Sequence, residues 1–140
     1  LVQVSRSKLT SMLKDKFRNI ARREFNQKPG MLHAKQFIKD YNARRSKILL
    51  NLPRSQLYLI TGMLTGHYPL NARLRLFNPT AESLCRFCNE EDETAKHLLC
   101  ECVALERVRR HYFNNSNPSP FDIRKLSIRT VLKFVESLKL

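Results

Sequence analysis

The sequence predicts an all-α fold, a small irregular helical domain, on three observations. Apolar residues recur at intervals of three and four, the alternation a half-buried strand needs is nowhere sustained, and four cysteines and a histidine crowd into residues 85–102. Of the 140 residues, 42% are hydrophobic, enough for one modest core. No repeat or low-complexity tract interrupts the chain.

The elements follow in order. Leu9, Met12, Leu13, Phe17 and Ile20 are spaced three and four apart with Arg and Lys between them, so Ser7 to Asn26 is expected as one amphipathic, basic helix. Pro29 and Gly30 stop it. Phe37, Ile38 and Tyr41 suggest a short helix or irregular segment, and Ile48, Leu49, Leu50 and Leu52 form an apolar cluster ended by Pro53. Pro53 suits the first position of the next helix, which carries Leu57, Leu59, Ile60, Met63 and Leu64 and ends at Gly66. Asn71 can cap a short helix bearing Leu74 and Phe77. Leu98, Leu105 and Val108 prolong a helix from the cysteine-rich segment toward Phe113, and Asn114 to Pro118 reads as a loop. A last helix runs from Ser127 through Ile128, Val131, Leu132, Val135 and Leu138. The expected division is 1–81 as a basic helical segment, 82–113 as the Cys/His module with its following helix, and 114–140 as a loop and C-terminal helix packing on the same domain.

No apolar run approaches the roughly 20 residues of a membrane-spanning helix, and the start, Leu1 to Arg6, lacks the apolar region of a secretory signal. The chain is therefore expected to be soluble and intracellular, and, starting on Leu1, a piece of a longer protein. Clustered cysteines inside the cell are metal ligands more often than disulfides, because the cytosol and nucleus keep thiols reduced. The spacing Cys85-x2-Cys88-x8-His97-x2-Cys100-x1-Cys102 offers five ligands to a tetrahedral zinc that takes four. Cys85 and Cys88 suit the short turn that aims two thiolates at one ion, and Glu90, Glu91, Asp92 and Glu93 sit where a helix N-terminus welcomes negative charge. On a regular helix His97 and Cys100 lie about 60° apart, whereas His97 and Cys102 are separated by roughly 140° and need the helix to end or loosen near Cys100. Either cysteine can be the fourth ligand. The competing interpretation is a set of buried structural thiols with a chance histidine.

The net charge of +14 is segregated. Residues 1–54 carry 14 basic and 3 acidic side chains and residues 107–140 carry 8 and 2, whereas residues 82–106 carry 2 and 7. So basic an N-terminal stretch suits a polyanion, since Lys and Arg that neutralise phosphates release condensed counterions. A solvated helix face that keeps the chain soluble is the plainer alternative. Lys14, Arg18, Arg22 and Arg23 would form a stripe on the first helix, and Arg44, Arg45 and Lys47 a second cluster. Bases could also stack on Phe25, Tyr41 or Tyr112.

Three runs carry a family resemblance: Leu-Leu-Asn-Leu-Pro-Arg-Ser-Gln-Leu at 49–57, Leu-Thr-Gly-His-Tyr-Pro-Leu-Asn at 64–71, and the Cys/His segment from Leu84 to Cys102 with its Glu-Glu-Asp-Glu-Thr stretch. Over residues 20–135 the chain resembles the C-terminal region of insect-type non-LTR retrotransposon polyproteins, in which endonuclease, reverse transcriptase and often RNase H precede a tail with a CCHC zinc-binding segment. The resemblance implies a CCHC zinc module on Cys85, Cys88, His97 and Cys102, leaving Cys100 as the extra thiol and alternative ligand. It also implies a nuclear location and partners in RNA or DNA, held mainly through phosphates, and in the reverse transcriptase core of the same polyprotein. Two departures are visible: Val103 stands where the family places proline after the last ligand, and the chain has no tryptophan.

Catalysis is not expected of this segment. Phosphoryl-transfer chemistry needs clustered carboxylates holding Mg²⁺, yet Asp15, Glu24, Asp40 and Asp122 are scattered. A catalytic zinc needs an open position that a site with four or five ligands does not leave. Cys100 beside His97 as a nucleophile is disfavoured because an acidic surround raises a thiol pKa. His67 is expected to cap or pack at its turn, and His33 and His111 lack a partner suggesting chemistry. The expected function is a non-catalytic zinc-containing module that grips nucleic acid during target-primed reverse transcription. The alternative is a structural adaptor docking on the polymerase core or a partner protein, with the acidic segment as the contact surface.

Overall fold

The computed structural model describes residues 4–140; Leu1, Val2 and Gln3, which open the stretch read above for a secretory signal, lie outside the described residues. Among the described residues the chain is helical without a strand, with one isolated antiparallel bridge between Leu84 and Asp92. No helix among them is long and apolar enough to cross a membrane.

The first helix, α1 (Arg6–Gln27), starts where the Ser5 hydroxyl accepts a hydrogen bond from the Lys8 N–H at 3.3 Å. It ends at Lys28, whose extended backbone is the conformation a following proline imposes. No residue of α1 is buried, and its apolar stripe of Leu9, Met12, Leu13, Phe17 and Ile20 faces solvent. Its last turns are tied to the body: Arg22 Nε meets Asp40 at 2.9 Å, and Lys35 Nζ donates to the Lys28 and Asn26 carbonyls.

The body comprises α2 (Leu32–Phe37), α3 (Ala43–Leu50), α4 (Arg54–Thr65), α5 (Asn71–Phe77), α6 (Glu106–Phe113), α7 (Pro120–Lys125) and α8 (Ile128–Ser137). The core gathers on α8, which buries Ile128, Val131, Leu132, Phe134 and Val135 against α3, α4 and α6, while α2 packs on α4 and α7. The Phe134 ring lies 4.6 Å from that of Phe113 and 6.2 Å edge-on from that of Tyr112. Gly66 closes α4 at φ +76°, and a β-carbon there would press on the His33 ring at 3.0 Å. His33 Nε2–H donates to the Met63 carbonyl at 2.9 Å, and burial lowers its pKa. His33 thus does the packing at the Gly66 turn, whereas His67 is exposed.

Several boundaries differ from expectation. Pro53 caps α4 from outside rather than opening it, and Leu70 stands at the cap of α5 with Asn71 as its first helical residue. The Asn71 side chain is drawn elsewhere, its Nδ2–H donating to the Leu84 carbonyl at 2.8 Å. The expected continuous helix from Leu98 to Phe113 is interrupted: a π-helical turn (His97–Glu101) and a 3₁₀ turn (Val103–Leu105) precede α6. The short helix α7 was not foreseen, although Ser119 and Asp122 form a reciprocal capping box with Pro120 at its first position. Arg109 is fully buried and has no carboxylate partner among the described residues. Its guanidinium donates to the Ser116 and Leu98 carbonyls and to Asn117 Oδ1, fastening the 114–118 loop to the π turn.

The packing separates two kinds of apolar residue. Phe134→Ala should destabilise the chain by about 3–5 kcal/mol in urea unfolding, the usual cost of emptying a buried aromatic site. Phe17→Ser, on the exposed face of α1, should change stability by less than about 0.5 kcal/mol.

Candidate metal centre

The site is assembled from two local structures. In the first, the Cys85 N–H donates to the Glu91 carbonyl and the Glu93 N–H to the Ser83 carbonyl, each at 2.8 Å, on either side of the Leu84–Asp92 bridge. The Asn89 N–H closes the turn onto the Cys85 carbonyl at 2.8 Å, with Asn89 at φ +55°, a conformation asparagine tolerates better than most residues. Cys85 and Cys88 are thereby brought side by side. In the second, the Thr94 hydroxyl accepts from the His97 N–H at 3.0 Å. The Cys102 N–H then reaches back five residues to the His97 carbonyl at 2.7 Å. That i to i+5 bond widens the turn by one residue, so positions five apart come to one face. Cys102 leaves the helical region at ψ 118°, and the break needs no proline at Val103.

Four donor atoms converge. Those of Cys85, Cys88, His97 and Cys102 all lie within 4.8 Å of one another. Cys85 Sγ and Cys102 Sγ are 3.9 Å apart, and Cys88 Sγ is 3.3 Å from His97 Nε2. Zinc bonds of about 2.3 Å to sulfur and 2.0 Å to nitrogen in a tetrahedron give sulfur–sulfur and sulfur–nitrogen edges of roughly 3.8 and 3.5 Å. The thiols are free, and 3.9 Å is far beyond a disulfide. The four residues therefore fit a tetrahedral divalent ion such as zinc. On the far side of the imidazole, Glu91 Oε2 lies 3.2 Å from Nδ1, off the line of a hydrogen bond, so the buried Nδ1 takes none. An outer carboxylate in that place is what orients many histidine ligands.

Cys100 lies elsewhere. Its side chain belongs to the apolar core and is no part of the cluster, and burial pushes its thiol up to about 12. Of the two candidate fourth ligands, the widened turn aims Cys102 at the site and Cys100 inward. Burial, reinforced by the neighbouring Cys85, also pushes Cys102 up to about 12, and burial raises Cys85. Cys88 is lowered to about 6, chiefly by the Glu90 N–H and further by the Glu91 N–H and His97.

Residues 47–108 match the family model described as zinc-binding in reverse transcriptase. The match runs from α3 into α6 and includes the whole Cys₃His cluster. No curated protein and no solved structure matches the chain. A zinc-binding domain of this family is an accessory to the polymerase, not its catalytic centre.

Beneath the four candidate ligands lies a group that spacing did not reveal. Glu93, expected at a helix N-terminus, is fully buried. Its carboxylate accepts from the Arg86 N–H at 2.9 Å, from Arg86 Nε and Nη2 at 2.8 Å each, and from the Asn71 N–H at 3.2 Å. Burial by itself would raise its pKa, but these donors outweigh that and hold it below the usual carboxylate value. In sequence Glu93 is one of four consecutive acids, and nothing marks it out. Two other acids are also engaged locally, Glu101 with Lys96 at 2.6 Å and Asp92 with the Ser83 hydroxyl.

The basic residues predicted to meet phosphate divide into two groups. Lys14, Arg18, Arg22, Arg23, Arg44 and Lys47 are exposed. Arg18 pairs with Asp15 at 3.0 Å and Arg22 with Asp40. Arg45 is half-buried and donates to the Arg124 carbonyl at 2.7 Å, a structural bond between α3 and α7.

Two outcomes follow from this geometry. Cys102→Ser should abolish stoichiometric divalent metal, read by elemental analysis, and lower helicity, whereas Cys100→Ser should preserve both. At pH 7, zinc added to the metal-free chain should release about two protons from thiols, one each from Cys85 and Cys102, because Cys88 is already largely thiolate. Apparent affinity should accordingly rise as pH rises, by roughly 100-fold per unit near neutrality, measurable by competition with a chelator.

Proposed function

We propose that the chain is a zinc-stapled, non-catalytic nucleic-acid-binding module of a retrotransposon-type reverse transcriptase, gripping RNA or DNA phosphates during target-primed reverse transcription. The observation that carries this function is α1, a 22-residue helix with no buried residue that holds Lys14, Lys16, Arg18 and Arg23 in water. Asp15 and Glu24 are its only acids, so its cations are largely uncompensated within the helix. A helix kept in solvent by so much charge contributes little to the core and much to the field around it. Zinc, held by Cys85, Cys88, His97 and Cys102, would fix the body from which the helix projects, and the family match supports that role for residues 47–108.

A second function, an adaptor docking on the polymerase core, is favoured by one specific observation. The stripe from Leu9 to Ile20 is apolar and exposed, and such a face buries readily against another protein. The two differ in salt dependence. Changing Lys14, Arg18 and Arg23 to Gln leaves the Arg22–Asp40 pair intact and should weaken binding to unrelated duplexes equally. It should also flatten the slope of log affinity against log salt by about one unit per lost contact. Unchanged affinity and slope in a filter-binding titration would favour the adaptor.

A further inference from the structure

A cleft of about 640 Å³ opens where the last turns of α1 meet α3, α7 and the α2–α3 connection. Its volume falls in the range of pockets that take small organic ligands, about 300–1,000 Å³. The floor is apolar, with Leu49 and Leu64, and the walls include the rings of Phe25, Tyr41 and Phe121. Tyr41 and Phe121 are 55% and 54% exposed, unusual for aromatic side chains that could be core.

The rim is basic. Arg22, Lys39, Arg45, Arg124 and Lys125 line the cleft against one acid, Asp40, which is already paired with Arg22. Arg45 and Arg124 hydrogen-bond to backbone: Arg45 donates to the Arg124 carbonyl, and Arg124, which also lies over one side of the Phe121 ring at 5.8 Å from its centre, to the carbonyls of Gln36 at 2.9 Å and Lys35 at 3.4 Å. Neither has a carboxylate partner among the described residues, so their charge is left for an anion. Lys125 Nζ sits 4.0 Å from the centre of the Phe121 ring, a cation–π contact that keeps charge and ring together.

Aromatic walls that welcome a flat ring, beside cations that welcome a phosphate, are the two halves of a single-stranded nucleic-acid platform. From this we infer that the cleft takes one unpaired nucleotide of a single strand, its base against the aromatic walls and its phosphate at the basic rim. A paired base within a duplex cannot enter, because it would first have to leave its stack. The inference rests on the proposed nucleic-acid function and sharpens it: α1 would grip backbone in either kind of nucleic acid, and the cleft would select single strands.

The test uses zinc-loaded full chain, a 12-nucleotide polyuridine and a 12-base-pair mixed-sequence duplex, with affinity read by fluorescence anisotropy. Tyr41→Ala and Phe121→Ala should each weaken polyuridine binding roughly tenfold at an unchanged salt slope and leave duplex affinity unaltered. Tyr41→Trp should retain affinity. Since the chain has no tryptophan of its own, that variant also carries a single reporter, which polyuridine should quench saturably and the duplex should not. Unchanged polyuridine affinity in both alanine variants, equal losses for both nucleic acids, or a tryptophan that neither quenches would overturn the inference. Failure is separable from failure of the wider function: a parent chain that binds duplex with steep salt dependence but ignores these variants loses the cleft alone, and one that binds neither probe loses both.

Discussion

The hydrogen bond from the Cys102 N–H to the His97 carbonyl ties the two halves of this molecule together. By skipping one residue more than an α-helix does, it forces a single turn to serve two faces. His97 and Cys102 point to the candidate metal centre, while Leu98, Leu99 and Cys100 are buried in the apolar core, where the turn packs against α7. A regular helix would have put Cys100 nearer the ligand face. The widened turn costs backbone regularity, and the buried Arg109, which donates to the Leu98 carbonyl, occupies a backbone group that such a turn leaves exposed. Metal site and core therefore share one segment of chain, and a disturbance in either should be felt in the other.

Charge is sorted by the fold into two uses. The acidic segment is consumed largely by its own loop: Glu93 by Arg86 and Asn71, Glu101 by Lys96, Asp92 by Ser83. A buried carboxylate is tolerable only when nearly every lone pair is occupied, and Glu93 accepts four hydrogen bonds. The basic residues are spent differently. Arg45, Arg86, Arg109 and Arg124 act as internal fasteners, whereas those of α1 stay in water. The bipolar charge pattern is thus partly structural at its acidic pole and largely free at the basic end.

The helix α1 shows why local pattern and tertiary role can part. Both helices space apolar residues three and four apart, but the apolar face is far more sharply segregated on α8, which buries five residues, than on α1, which buries none. The difference is the partner: α8 has α3, α4 and α6 around it, and α1 meets the body along its last turns, at Arg22, Phe25 and Asn26. Most helical stability in proteins comes from burying such a stripe, so α1 rests on its own propensity and its Ser5 cap.

By itself the sequence determined the all-helical class, most helix ends and the cluster of candidate ligands. These depend on contacts within a few residues: the three-and-four spacing of Val131, Leu132 and Val135, the left-handed stop at Gly66, the extended residue before Pro29, the two-residue gap between Cys85 and Cys88. Tertiary structure decided the rest. Choosing Cys102 over Cys100 required a turn whose width is set by the core on its other side, and Glu93 became an internal anchor only once Arg86 and Asn71 were folded onto it, 7 and 22 residues away. The cleft by α1 joins residues from Ala21 to Ile128, far beyond the reach of any local pattern. Short-range signals are repeated along a chain and can be counted. A long-range contact leaves no trace until chain entropy has been overcome and the partners meet.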